Sequence, residues 1–300
     1  MIQDINPSEF HFSGHDTFHL RYTWLPKAAD YVKKNPQNSF LSKYDIIMTK
    51  LGVGRNMANS LRHWAESSQL FKKRSDHCHY FTKLGDTLLI DGGLDPYLEM
   101  PETNWLLHYL ITSNHKKNAL WFYLFNVFNE SIIIKEEFLF SAMNWFKDQG
   151  VKVNSRSLEK DYHCCINMYD SSNLNTTSVF ERALSSPFRE LKLIKKVGEN
   201  YRLRTLNQKE ISPAIFSYCL LDYLENEGSQ DFTPFSDLLN GMKSPGRIFR
   251  LSENTLLEYL NEFKKFTAGY DFDNTAGMQQ LIKKSNTALD KYKILKKAYV

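Results

Sequence analysis

At about 100° per residue, the segment from Arg55 to Glu66 sorts into two faces. Met57, Leu61 and Trp64 fall on one stripe, and Arg55, Asn59, Arg62 and Glu66 on the opposite one, with Asn56 and His63 flanking it. Asp45 to Leu51 predicts a supporting helix, and Gly52 and Gly54 the tight turn between the two. Beyond them, Leu70–Arg74 and Cys78–Phe81 predict two short strands around the turn Ser75-Asp76-His77. Thr82–Asp86 starts a short closing helix. Residues 41–84 therefore predict a winged helix-turn-helix.

The same patterning predicts helices over Leu25–Lys34, Trp105–Thr112, Ala119–Val127 and Lys135–Gln149. Ser155 is the expected cap of a helix running through Met168. Phe180–Leu184 and Pro187–Leu191 then lead into a basic hairpin from Leu193 to Arg204. That hairpin fits either a second winged helix or a structural hairpin closing a helical domain. Pro213–Glu225 and Leu256–Phe266, the latter capped by Ser252–Thr255, are further helices. Asp271–Gly277 is expected as a loop into a final helix. The expected fold class is mainly α with small β-wings (α+β) in three domains. These are 1–95 (arm and winged helix-turn-helix), 96–208 (helical, with the basic hairpin) and 209–300 (helical), with breaks suggested by the turn-rich stretch Asp91–Pro96 and the hairpin end.

Composition adds two constraints. The chain has 300 residues, 42% hydrophobic and 14% aromatic, enough for real cores and unlike a disordered chain. Net charge is only +4, yet residues 41–80 alone carry seven lysines and arginines against three carboxylates. A basic block of this kind is the footprint of an anionic partner. Four cysteines without CxxC spacing, a polar start from Ile2 to Glu9 and no apolar run longer than Ala119–Val127 predict a cytoplasmic chain with reduced thiols and no membrane role.

The basic block suggests double-stranded DNA. Arg pairs bidentately with guanine and Asn with adenine, so Arg55, Asn56, Asn59, Arg62 and His63 are the candidate base-facing residues. Lys72, Lys73 and Arg74 are the candidate phosphate contacts. The alternative is a winged helix used for protein contacts, its basic front merely solvated.

Catalytic fingerprints are absent: GxxxxGK[ST], HExxH and GxSxG do not occur, which argues against ATP hydrolysis by this chain. His77-Cys78-His79 and His163-Cys164-Cys165 are rich in ligand types but match no zinc spacing. The arm Gly14–Arg21 gathers imidazole, carboxylate and guanidinium within eight residues. Phosphodiester cleavage needs a base or metal ligand near the attacking water and a cation on the developing charge. His15, Asp16 and Arg21 are the candidates; the alternative is an arm anchored by Phe18 and Trp24, with His15 and Asp16 capping backbone groups. Asp271 and Asp273 fit either a hard-cation site or a helix cap, and the lysines at 283, 284, 291, 293, 296 and 297 either a solvated face or a second phosphate track.

Six stretches together carry a resemblance: FSGHDTFHLRYTWLPK (12–27), LGVGRNMANSLRHW (51–64), LDPYLEMPETNWLLHY (94–109), LEKDYHCCINMY (158–169), SPFREL (186–191) and YDFDNTAG (270–277). They resemble a bacterial domain-of-unknown-function family encoded beside sulfur-transfer genes in DNA phosphorothioation operons, the B component of the Ssp-type system. Asp16 and Arg55 stand where that family's pattern has Glu and commonly Lys, both keeping their charge. The resemblance implies an anti-phage defence role beside a cysteine desulfurase, an ATPase and a PAPS-reductase-like sulfurtransferase. It also implies strand nicking, for which Mg²⁺ or Mn²⁺ is the expected cofactor. Alternatives are a DNA-binding adaptor or transcriptional regulator that cuts nothing, and a scaffold that binds the partner enzymes alone.

Overall fold

Left-handed backbone at Gly52 (φ +64°) ends one helix and redirects the chain into the next. A Cβ there would meet nothing within 4 Å, so the dihedral rather than crowding calls for glycine. The computed structural model describes residues 6–36, 44–174, 184–226, 231–275, 278–284 and 290–300. Within them α1 spans Trp24–Lys34, α2 Tyr44–Leu51 and α3 Arg55–Ser67. Strands β1 (Phe71–Lys73) and β2 (His79–Phe81) pair antiparallel, Lys72 opposite Tyr80. Helix α4 (Lys83–Leu89) follows, capped by Thr82, whose hydroxyl accepts from Gly85 N. Gly85 lies so close to α3's end that a Cβ would sit 2.1 Å from the Leu70 carbonyl oxygen.

The chain continues through α5 (Pro101–Ser113), α6 (Ala119–Asn126), β3 (Ile132–Ile133), α7 (Lys135–Asp148) and α8 (Ser155–Tyr169). Asn154, not Ser155, caps α8, its side chain accepting from Arg156 N. A 3-10 turn over Pro187–Leu191 precedes β4 (Ile194–Val197) and β5 (Asn200–Leu203). These strands form an antiparallel sheet in the order β3-β5-β4, so the first strand of the segment pairs with the last.

After α9 (Pro213–Asn226) come β6 (Phe232–Pro234), α10 (Phe235–Asn240), α11 (Pro245–Ile248), α12 (Glu253–Phe263), β7 (Tyr270–Thr275) and β8 (Met278–Lys283), and the sheet order β6-β8-β7 again pairs the first strand with the last. A short α13 (Lys291–Lys296) follows. The stretch expected as a loop, Asp271–Gly277, is thus mostly strand: Tyr270 pairs with Lys283 and Phe272 with Leu281. The C-terminal segment is not purely helical. Residues 41–43, Phe180–Ala183 and Ala276-Gly277 of the expected elements lie outside the described residues.

Two compact units result: Met1–Leu124 with Asn129–Leu203, and Phe125–Phe128 with Arg204–Val300. The expected break near residue 95 is absent. Asp95 is buried and accepts from Glu99 N, Met100 N and the Thr103 hydroxyl, tying the turn to the start of α5. The arm also crosses that point: Phe10 packs edge-on against Phe122 and Phe146, and Ala119 N donates to the His11 carbonyl. Large buried rings, among them Trp24, Trp64, Trp121, Tyr109 and Phe188, fill this first unit. In the second unit Phe216 stacks on Tyr259, whose hydroxyl is hydrogen-bonded to the backbone of Ile211.

Candidate nucleic-acid interface

The apolar stripe of α3 buries Ala58, Leu61, Trp64 and Ala65, which turns Arg55 and Asn56 to the exposed side. Lys72, Lys73 and Arg74 are exposed on the neighbouring hairpin. Lys72 and Lys73 make no ion pair among the described residues, whereas Arg74 pairs with Asp76 at 2.9 Å. The hairpin is fixed to the helix from behind. Glu66 Oε1 accepts from His79 Nε2 at 3.1 Å, and Glu66 Oε2 from Lys117. Burial raises the Glu66 pKa, but these hydrogen bonds and their charges outweigh it and hold the carboxyl at about 2.

Three expected front residues are placed differently. His63 is buried, its Nε2 donating to Asn118 Oδ1 at 3.0 Å, so it faces the core and not a groove. Burial, then the nearby His15 and Lys117, depress its pKa to about 3. Asn59 uses both ends of its amide: Nδ2 donates to Asp16 Oδ2 at 2.6 Å, and Oδ1 accepts from Arg62 Nη2 at 3.0 Å. Asn59 and half-buried Arg62 therefore form a ladder with the arm. A helical wheel places these residues correctly by angle but cannot show what lies over them.

The arm does not gather its three chemical groups. His15 is 1% exposed and lies between Trp64 and Trp121, with ring centroids 6.1 and 5.3 Å away. Its Nδ1 accepts from Thr17 N at 3.1 Å, so the proton sits on Nε2, which donates to Asp161 Oδ1 at 2.9 Å. A ring with both nitrogens engaged in a core cannot serve a surface water. Arg21 turns elsewhere, its guanidinium 5.5 Å from the Phe18 ring centre and 5.2 Å from that of Trp24. The three side chains hold the arm in place.

Asp161, which the sequence did not single out, is the hub. Its buried carboxylate accepts from Ser13 N, the Ser13 hydroxyl and His15 Nε2. The Phe18 carbonyl accepts from the Ser60 hydroxyl and the Trp64 indole at 3.0 and 2.9 Å. One strap, Ser13–Phe18, thus touches α8 at one end and α3 at the other. Gly14 is needed where it passes, since a Cβ would stand 2.6 Å from His63 Nδ1.

The remaining candidate clusters do not converge. All four cysteines are free and buried, and His163 is exposed beside Glu159. Among the described residues no three His, Cys, Asp or Glu side chains are grouped to hold a metal ion. Asp271 is bonded to Lys284 and Lys264, which hold its carboxyl down to about 2. Lys291 of the lysine tail pairs with Asp222 and Glu225. No described helix is long and apolar enough to cross a membrane.

Comparison with known proteins adds three findings. Residues 12–299 match the family described as a protein of unknown function, DUF4007. Two solved structures resemble the chain at a TM-score of 0.82: the SspB crystal structure at 26% identity and the magnesium ion-bound SspB crystal structure at 25%. In each case 96% of this chain and 87% of the other is covered. No curated protein matches.

Two outcomes follow from the strap. Asp161→Ala strips the acceptor from three buried or half-buried donors and lowers unfolding stability by about 3 kcal/mol, read from the denaturant midpoint. Asp161→Asn, which keeps Oδ1, loses less. Acid acts through histidines that fold neutral. His63 and His19 are held to about 3 and about 4, below the ordinary imidazole value of 6.5, chiefly by burial. Their contribution is complete above pH 6.5 and is lost as pH falls toward those values. Below the ordinary carboxylate value of 4.5 the Glu66 contribution is lost as well. Stability measured against pH should be flat near neutrality and fall below about 6.5, by up to about 1.4 kcal/mol per pH unit for each histidine. A curve flat down to pH 4 would contradict this.

Proposed function

Because this chain belongs to the DUF4007 family and shares its fold with SspB, we propose that it is the duplex-DNA-binding component of a bacterial DNA phosphorothioation system. The supporting observation is the exposed, basic front of α3 and its hairpin, fixed from behind by the Glu66–His79 and His63–Asn118 contacts. In this reading α2, α3 and β1–β2 act as a winged helix-turn-helix. Helix α3 enters the major groove, Arg55 and Asn56 lead, and Lys72 and Lys73 meet phosphates. Arg74, held by Asp76, stiffens the hairpin tip as well as adding charge. A cysteine desulfurase, an ATPase and a PAPS-reductase-like sulfurtransferase are the partners, and DNA held by this chain is what they would act on.

Strand nicking with Mg²⁺ or Mn²⁺ is the second reading. It is favoured by the magnesium ion bound in a structure of similar fold. His15, Asp16 and Arg21 do not fit as its metal site: His15 is enclosed, Asp16 accepts from Asn59, and Arg21 is a stacked cation. If the chain cuts, the groups that do it lie elsewhere. Failing that, it is a reader that leaves chemistry to its partners.

Replacing Lys72 and Lys73 together by Ala should weaken duplex binding across sequences and lower the slope of log affinity against log salt by about 2. Unchanged binding and slope would remove the hairpin from the interface. Incubating the full chain with supercoiled plasmid in Mg²⁺, Mn²⁺ or EDTA separates the two readings. Open circle that disappears in EDTA establishes nicking. Intact plasmid with a mobility shift establishes a reader, and no shift at low salt counts against DNA binding altogether.

A further inference from the structure

Around α3 and again around α8, helices lead into an antiparallel hairpin. Helix, strand, two helices and a hairpin follow one another as α6, β3, α7, α8 and β4–β5, and the first strand pairs with the last. Around α3 the run is α1, α2, α3 and β1–β2, with no strand ahead of the last two helices and a two-stranded sheet. Helix α8 occupies the position ahead of its hairpin that α3 occupies ahead of β1–β2. Its back is buried through Leu158, Tyr162, Cys165, Ile166 and Tyr169. Its exposed stripe is Arg156, Lys160, His163 and Asn167, spaced four, three and four residues apart.

The hairpin beside it is also basic. Lys195 and Arg202 are directly opposite each other across β4 and β5, and both are exposed, as is Lys196. Like charges placed directly opposite on a sheet are destabilising. No carboxylate offsets them: Arg156, Lys160, Lys195, Lys196 and Arg202 form no ion pair among the described residues. Acids lie nearby too, among them Asp170, which caps the C-terminus of α8 and bridges to Ile194. Glu159 is bonded to Lys135, and Glu199 is exposed in the hairpin turn. A polyanion would relieve the Lys195–Arg202 repulsion and give the α8 stripe its counter-charge.

We propose that α8 and the β4–β5 hairpin form a second duplex-DNA contact surface. The proposal rests on the DNA-binding reading of α3 and extends it. The strap joins the two surfaces within one compact unit, binding α8 through Asp161 and α3 through Ser60 and Trp64. The third segment provides a contrast. There the corresponding helix is α12, which carries Glu253, Glu258 and Glu262 and repels a phosphate backbone. A helix ahead of a hairpin is common to the three segments; charge separates those that fit DNA.

The test is a salt series of duplex-binding curves for the full chain and three variants. Replacing Arg156, Lys160, Lys195 and Arg202 by Ala should weaken binding about tenfold or more at moderate salt and lower the salt slope by about 3. The thermal midpoint of this variant should hold or rise, because the Lys195–Arg202 repulsion is gone. Replacing Glu253 and Glu258 by Gln should leave binding unchanged. If the four-residue variant binds like the parent while Lys72→Ala with Lys73→Ala loses binding, the second surface is refuted and the α3 reading stands. If the parent chain itself binds no duplex at low salt, both fall.

Discussion

Asp161 is a buried carboxylate, and a buried carboxylate without donors is costly in a protein interior. None of the donors it is given comes from its own helix. They come from Ser13 and His15, nearly 150 residues earlier in the chain. To deliver them the arm adopts left-handed backbone at Ser13, Asp16 and Thr17, none of them glycine. Each such residue costs energy and persists only when its surroundings fix it. Here they do, through the Asp161 carboxylate, the Asn59 amide, the Ser60 hydroxyl and the Trp64 indole. The strap and the helices beneath it are mutually dependent: α3 and α8 orient it, and it satisfies a charge that would otherwise disrupt α8.

That dependence explains why α3 presents a limited front. Six of its polar side chains are engaged inward or sideways: Asn59 by the arm, Ser60 by Phe18, Arg62 by Asn59, His63 and Ser67 by Asn118, and Glu66 by the hairpin and Lys117. What remains outward is the first turn, Arg55 and Asn56, together with the hairpin lysines. In helix-turn-helix proteins the N-terminal residues of the recognition helix reach base edges. The polar residues further along α3 are the ones held by the scaffold.

How much was legible in the sequence depended on the range of the interaction involved. Helices α2 and α3 and the first hairpin were readable almost to the residue, because a 3.6-residue period, two glycines and a polar turn are local signals. The arm misled for the opposite reason. His15, Asp16 and Arg21 are neighbours in sequence, yet they turn to Asp161, Asn59 and the Phe18–Trp24 rings, and no spacing rule reports that. The stretch Asp271–Gly277, just after Tyr270, reads as a loop because Asp and Asn are poor strand formers. Its Tyr270 and Phe272 alternation was visible, but pairing with β8 outweighed propensity. Asp95 fell in a turn-rich segment that suggested a domain break; its three hydrogen bonds make that segment the cap of α5.

The three helix-and-hairpin segments bear on what a fold can be asked to reveal. A helix laid beside a hairpin is a shape that fits a groove, and each segment has it. Fold alone therefore assigns the same task to α3, α8 and α12, although their exposed stripes differ in sign. Phosphate is read by charge before it is read by shape, since counterion release supplies most of the non-specific affinity. On α12 Glu253 and Glu258 are exposed while Glu262 pairs with Lys209, a balance that disfavours a phosphate backbone. Sorting these helices by charge thus separates the basic exposed stripe of α8 from the acidic one of α12.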